Sequence, residues 1–231
     1  MAVVPQTRSD SNGPSLLPVT RRTLPPREAV ATVPRLCDGQ TVVCLASGPS
    51  LTADDVAACY DRAAAVAVND SYRLAPWAVA LMASDAKWWR YHAADLADFR
   101  GRRYCLEDKG GLPPDVELLR NTGREGLEHD QTGLRTGGNS GYAAINLAVH
   151  LGAARIVLLG YDMGPTPAGR VHWFGAHPRA LQRSPSPFQA FRERFRTLVD
   201  PLAALGVEVV NASRQTTLTV FPRMSLDEAL R

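Results

Sequence analysis

The sequence TVVCLASGPS at residues 41–50 decides the fold of this 231-residue chain. Its first half is apolar and rich in β-branched residues, which predicts a buried strand of a parallel sheet. A tight turn follows at Gly48 and Pro49. Thr52, with two acids directly behind it, then predicts a helix that runs to about Tyr60. A strand, a turn and a helix in this order are typical of an α/β domain.

The same alternation continues along the chain. Further strands are predicted at 64–68, 78–83, 102–106, 155–160 and 207–210, and helices at 139–152 and 188–205. The stretch 107–138 is rich in Gly, Pro and charged residues and predicts long loops. We therefore expect an α/β, Rossmann-like fold: a mostly parallel sheet with helices on both faces.

Composition limits the organisation of the chain and its class. Residues 1–35 are rich in Pro, Ser, Thr and Arg and predict a flexible N-terminal arm, so that 36–231 form a single Rossmann-like nucleotide-binding domain. The net charge of +3 is too balanced to predict nucleic-acid binding by itself. The four cysteines lack C-x-x-C spacing and favour a reduced, cytoplasmic setting. We expect neither a membrane span nor a signal peptide.

Polar residues stand where the predicted strands end. They are Ser47, Asn69, the pair Ser84-Asp85, the pair Tyr161-Asp162, and Asn211. Ligands of parallel α/β sheets bind beyond the carboxyl ends of the strands. The sequence therefore predicts a ligand site along this edge.

The first turn offers several groups to a ligand. Gly48 has no Cβ, so a ligand can approach the backbone, and Pro49 restricts φ. Ser47 and Ser50 carry hydroxyls, and the N-terminus of the next helix attracts anions. The alternative is a plain strand-to-helix turn. The motif is neither G-x-G-x-x-G nor a P-loop, since it has no Walker A lysine.

A second glycine-led helix start follows at 136–142. Gly137 and Gly138 precede Asn139, Ser140 and Gly141, which predicts an anion cradle at a helix N-terminus. An ordinary N-cap after a flexible loop is the alternative interpretation. Ser140 is a candidate to contact a base, a sugar or a phosphate.

Two histidines lie in the loop after the 155–160 strand. His177 and His172 are candidates for a general base, because the pKa of histidine is near neutrality. A zinc site is the competing chemistry, but it needs about three protein ligands and this loop supplies two. A structural role is the third interpretation.

Other conspicuous residues receive structural interpretations. We expect Trp88-Trp89 to pack a helix against the sheet. Arg192 and Arg194 are predicted to lie on a solvated helix face. His150, late in a helix, is predicted to have a dipole or surface role.

In order and context, these motifs resemble bacterial lipooligosaccharide sialyltransferases and the Rossmann-like group that includes archaeal hydroxymethylpterin diphosphokinases. Uncharacterised phage and prophage proteins share the same layout. The resemblance covers roughly residues 41–225. It is carried by 47–51, Asn69, 139–142, 159–162 and 172–177.

The resemblance implies a role for each matching residue. In the sialyltransferases the equivalent positions hold a CMP-sugar, and a loop histidine deprotonates the acceptor without a metal. The candidate nucleotide-binding residues are Ser47, Gly48, Pro49, Ser50, Asn69, Asp85, Asn139, Ser140, Gly141 and Asp162. His177 is the implied base, with His172 second. Ser47 stands where the family usually has Asn, and Tyr161 is one candidate for assisting the leaving phosphate.

Three functions follow from these patterns. The first is a metal-independent glycosyltransferase that uses a nucleotide-sugar donor and needs no other cofactor. The second is a diphosphokinase-like enzyme with Mg²⁺ on Asp85 and Asp162. The third is a non-catalytic nucleotide- or DNA-binding phage protein, which in a host would be cytoplasmic. The acceptor and an oligomeric state stay open.

Overall fold

The structure, a computed structural model, describes residues 30–182 and 185–231. Its strands are β1 (Thr41–Leu45), β2 (Ala64–Val68), β3 (Ala80–Met82), β4 (Arg102–Cys105), β5 (Glu117–Leu118), β6 (Arg120–Gly123), β7 (Gly133–Arg135), β8 (Arg155–Leu159) and β9 (Glu208–Asn211). Its helices are α1 (Ala53–Ala57), α2 (Ala86–His92), α3 (Ser140–His150), α4 (Phe188–Phe195), α5 (Val199–Ala204) and α6 (Leu226–Ala229).

Seven strands form one parallel sheet in the order β5-β4-β3-β2-β1-β8-β9. From β1 the chain moves outward to β5 and then returns, placing β8 on the other side of β1. The strand order therefore reverses between β1 and β8. In open α/β sheets this switch point, at the carboxyl ends of the strands, is where ligands bind.

Helices cover both faces of the sheet, so the predicted fold class is confirmed. Side chains of β1 alternate between the faces, with Val42 and Cys44 in one core and Val43 and Leu45 in the other. The first core packs under α3 and the α4–α5 segment, and the second under α1, α2 and α6. Burial on both faces explains why β1 is an apolar run rather than an alternating pattern.

The segment 107–138 is not only loop, contrary to prediction. It contains β5 and a separate two-stranded parallel sheet, β6-β7. The amide of Asn146 on α3 holds this sheet: its oxygen accepts from the N–H groups of Glu128 and Arg135, and its nitrogen donates to the Glu128 carbonyl. The strands lack a hydrophobic period because polar bonds hold them in place.

His150, predicted to have a dipole or surface role, is buried. Its Nε2 lies 3.0 Å from the carbonyl oxygen of Gly133 in β7. Burial lowers the pKa of this imidazole. The prediction was wrong because the small β6-β7 sheet covers this face of α3.

Two helices differ from their predicted lengths. The 188–205 stretch is not one helix: α4 and α5 are separated by a 3₁₀ segment at 196–198. Pro201 has no N–H for a helical bond four residues back, which explains why a single α-helix does not run through. The helix after the first turn ends at Ala57 rather than near Tyr60.

The start of the packed chain lies before residue 36. Residues 1–29 of the predicted arm lie outside the described residues. Within 30–35, however, Val33 is fully buried, and its N–H donates to the carbonyl of Gln131. In the described ranges, no helix is both long enough and apolar enough to cross a bilayer.

Candidate functional site

The first turn is packed against the end of β8. The N–H of Gly48 donates to the carbonyl of Gly160 at 2.8 Å. A Cβ on Gly48 would lie 2.2 Å from Oδ1 of Asp162 and 2.4 Å from that carbonyl oxygen. The space left by the missing Cβ is therefore occupied by the protein's own β8 segment. Gly48 was expected to let a ligand approach the backbone, but the space beside it is filled by Asp162.

Asp162 braces the same turn. Its Oδ2 accepts from the Ser50 N–H at 2.8 Å, and its Oδ1 accepts from the Ser50 hydroxyl at 2.9 Å. The residue is 5% exposed, and burial raises the pKa of its carboxyl. These bonds hold β1 and β8 together at the switch point and define the shape of the turn. A ligand would meet Pro49 and Ser50 on a frame that is already ordered.

The N-terminus of α1 is a weaker anion site than the sequence suggests. The helix has five residues, and the Thr52 hydroxyl already accepts the Asp55 N–H. Its first turn also carries the carboxylates of Asp54 and Asp55. These negative charges oppose a second anion at the same place.

The histidine loop folds back over the first turn. The imidazole of His172 donates to the backbone carbonyl of Ser47, and the Trp173 N–H reaches the same oxygen at 3.1 Å. His172 stacks parallel to Phe174 at 5.0 Å, and the His177 ring lies edge-on at 4.6 Å from His172. Two motifs that are far apart in the chain are thus in contact.

The protonation state of His172 follows from this position. Burial lowers the pKa of its imidazole, and the neighbouring His177 lowers it further. Both effects favour the neutral imidazole, in which one nitrogen donates to Ser47 and the other carries a lone pair. The Ser47 hydroxyl turns the other way and donates to the Val68 carbonyl at 3.3 Å.

The end of β2 carries a buried charge that the sequence analysis missed. Asn69 has a φ of 49°, a left-handed conformation that Asn tolerates better than most residues. Asp70 follows and is 1% exposed. Its carboxylate accepts from Nε1 of Trp88 at 3.1 Å and lies 3.3 Å from the Arg73 guanidinium. This carboxylate also acts electrostatically on His172.

His92 completes this cluster and was not among the candidate residues. It is fully buried, with Nε2 3.7 Å from Asp70, and burial lowers the pKa of its imidazole. Trp88 and Trp89 of α2 are buried against the sheet, as expected of packing residues. The sequence did contain a signal for this cluster. Trp88 and His92 are four residues apart, on one face of a helix, and Asp70 stands at the end of the strand β2.

The second helix start is ordered by its own side chains. Asn139 accepts the Tyr142 N–H with its amide oxygen at 2.9 Å and caps α3. Ser140 accepts the Ser84 N–H and donates to the Ser84 hydroxyl, which ties α3 to the end of β3. Gly137 has a φ of 54°, and a Cβ there would meet the Tyr142 ring at 2.2 Å. Unlike α1, this helix has no acid in its first turn.

Tyr161 does not reach a ligand. It is fully buried, and its hydroxyl donates to the Gly141 carbonyl at 2.9 Å. A Cβ on Gly141 would touch the Tyr161 ring at 3.2 Å, so this glycine allows α3 to approach β8 closely. The expectation that Tyr161 assists a leaving phosphate is wrong.

Arginines reach the same edge from α4. Arg192 donates to the Met163 carbonyl at 2.9 Å, and Arg194 donates to the Gly137 carbonyl at 3.0 Å. The prediction of a merely solvated face was wrong, because α4 packs across the carboxyl end of the sheet. These guanidinium groups bring positive charge to the segment after β8 and to the segment before α3.

The zinc and Mg²⁺ hypotheses each need a group of metal-binding side chains. In residues 30–182 and 185–231, no three His, Cys, Asp or Glu side chains are grouped so as to hold a metal ion. Asp85 begins α2 as its N-cap, whereas Asp162 is bonded to Ser50. The second function would need both carboxylates on one ion.

The structure arranges the candidate residues in three neighbouring groups along the carboxyl edge. Ser47 lies with His172 and His177; Gly48, Pro49 and Ser50 lie with Asp162; Asn139, Ser140 and Gly141 lie at the start of α3 beside Ser84. The first two groups share one turn. Comparison of the chain with family models, curated proteins and solved structures finds no match.

Proposed function

We propose that this protein is a transferase that takes a nucleotide-activated donor at the carboxyl edge of its sheet, with a loop histidine as general base. One observation carries the proposal. The His172 imidazole and the Trp173 N–H both bind the Ser47 carbonyl, which sets the histidine loop on the turn at the switch point. This contact supports a proton acceptor near the carboxyl ends of the strands, the edge at which parallel α/β sheets bind their ligands.

In this mechanism, His177 accepts the proton of an acceptor hydroxyl as its oxygen attacks the activated carbon of the donor. The bond from that carbon to the donor phosphate breaks, and the nucleotide leaves with the bonding electrons. His172, neutral and held by Ser47, orients His177 through their ring contact. By resemblance, the donor is a CMP-linked or related nucleotide-sugar.

Ligand identity is tested by thermal shift. CMP, UDP, GDP, ATP and their sugars are compared with Mg²⁺ and with EDTA. A ligand at 100 times its Kd stabilises the folded protein by about 2.7 kcal/mol, which is easily measured. Stabilisation in EDTA supports the proposal. Stabilisation that requires Mg²⁺ favours the diphosphokinase-like alternative, and salt-sensitive DNA binding without a nucleotide effect favours the third.

The base is tested with the donor that emerges. We expect His177→Ala to lower turnover by about 10²- to 10⁴-fold while donor affinity stays near wild type. His172→Ala should lower turnover less and change its pH profile. His129→Ala is the matched control, since His129 is exposed in the loop between β6 and β7. Wild-type turnover in His177→Ala would exclude this residue as the base.

A further inference from the structure

A small cavity of about 200 Å³ lies beside the first turn. Pro49 and Asp162 form one part of its wall, and the 164–166 and 215–217 segments form the rest. Ligand pockets for whole drug-sized molecules usually measure about 300–1,000 Å³. This cavity is therefore sized for one chemical group of a donor rather than for an entire nucleotide.

Two arginines are bonded to the wall of this cavity. Arg170 donates from Nη2 to the Pro49 carbonyl at 3.2 Å. Arg192 donates from Nη1 to the Met163 carbonyl at 2.9 Å and to the Thr217 hydroxyl at 3.3 Å. A guanidinium has five N–H donors on three nitrogens, so each arginine keeps donors for a ligand.

The local charge favours an anion. Asp162 supplies one negative charge, but its two oxygens already accept the Ser50 N–H and hydroxyl. The Arg170 guanidinium acts electrostatically on this carboxylate, and Arg192 brings a second guanidinium to Thr217 in the same wall, so the two arginines exceed the single carboxylate by one positive charge. Arginine pairs bind phosphoryl oxygens through charge-assisted, bidentate hydrogen bonds.

We propose that this cavity is the subsite for the phosphoryl groups of the donor, with Arg170 and Arg192 as their cationic ligands. This inference rests on the proposed function and adds to it the orientation of the donor in the site. The cavity lies by Pro49 and Asp162 on the β8 side of the turn, whereas the histidine loop contacts Ser47, whose hydroxyl faces β2. The donor therefore lies across the turn, with its phosphates by the arginines and its reacting carbon by the histidines.

The test measures binding of inorganic pyrophosphate by isothermal titration calorimetry at low salt. The proteins are wild type, Arg170→Gln, Arg192→Gln and Arg192→Lys. Arg196→Gln is the matched control, because Arg196 is an exposed arginine just beyond α4. Malonate serves as a dianion without phosphoryl oxygens. Thermal melts of each variant establish that it is folded.

We expect each Gln variant to weaken pyrophosphate binding about tenfold, Arg192→Lys to restore part of it, and Arg196→Gln to match wild type. Pyrophosphate affinity that is equal in wild type and both Gln variants would overturn the subsite, as would equal affinity for malonate. Pyrophosphate binding that depends on the arginines without any nucleotide binding would support the subsite and refute the proposed donor. Nucleotide binding that is unchanged in both Gln variants would refute the subsite and support the proposed donor.

Discussion

Replacement of Gly48 by alanine tests whether this glycine serves the fold or the ligand. The new Cβ would lie 2.2 Å from Oδ1 of Asp162 and 2.4 Å from the Gly160 carbonyl oxygen, roughly 1 Å or more inside ordinary contact. Overpacking of this kind costs about 1–3 kcal/mol. If the turn moves away, the Gly48–Gly160 hydrogen bond is also lost, at about 1 kcal/mol.

We therefore expect Gly48→Ala to lower the free energy of unfolding by about 3 kcal/mol. For a domain of this size, that corresponds to a decrease in Tm of about 6–12 °C. The assays are urea denaturation and a thermal melt, both without ligand. A structural cost must appear in the free protein, whereas a role in ligand approach would appear only when the donor is added.

Gly164→Ala is the matched control on the same edge. Its Cβ would make only ordinary contacts of 3.7 Å with Thr217, and its φ is not in the left-handed region. We expect a stability near wild type, or a gain of up to about 1 kcal/mol from the reduced entropy of the unfolded chain. A Gly48→Ala protein as stable as Gly164→Ala would refute the packing argument.

Two further predictions concern α3 and the buried histidines. Asn146→Ala should lower the free energy of unfolding by about 2–4 kcal/mol, because the N–H groups of Glu128 and Arg135 lose their acceptor. Amide hydrogen exchange at 120–135 should become faster. Exchange there at the wild-type rate would show that Asn146 does not hold the β6-β7 segment. Burial lowers the pKa of His92 and His150, so the unfolded chain binds more protons than the folded protein. The stability that depends on these neutral imidazoles is complete above the unfolded pKa of about 6.5. It is lost as the pH falls toward their pKa values in the folded protein. The Tm should therefore fall between about pH 7 and pH 5, and less so in His92→Gln and His150→Gln; an unchanged pH slope in both variants would show that other groups are responsible.

Local pattern was enough for the strongly apolar elements. β1 and β2 lie at the predicted residues, and β8 and α3 differ by a residue or two at their ends. Both faces of these strands are buried, so the side chains after the first residue of each are apolar and the signal is continuous. The carboxyl edge follows directly, because parallel strands end on the same side.

Pattern failed where polar contacts between distant segments organise the chain. Polar contacts of Asn146 and His150 on α3 hold the β6-β7 segment, and such bonds leave no period in the sequence. The buried Asp70 cluster likewise needs β2 and α2 to be adjacent before its acid, indole and imidazole can meet.

The residues 41–50 by themselves determined that a strand enters a tight turn at the edge of a parallel sheet, because burial and backbone geometry act over a few neighbouring residues. Only the tertiary structure decided what each turn residue does. Gly48 leaves space for Asp162, Asp162 braces Ser50, and Ser47 presents its carbonyl to His172. These partners lie more than 100 residues away in the chain, so their contacts exist only once β8 has taken its place beside β1.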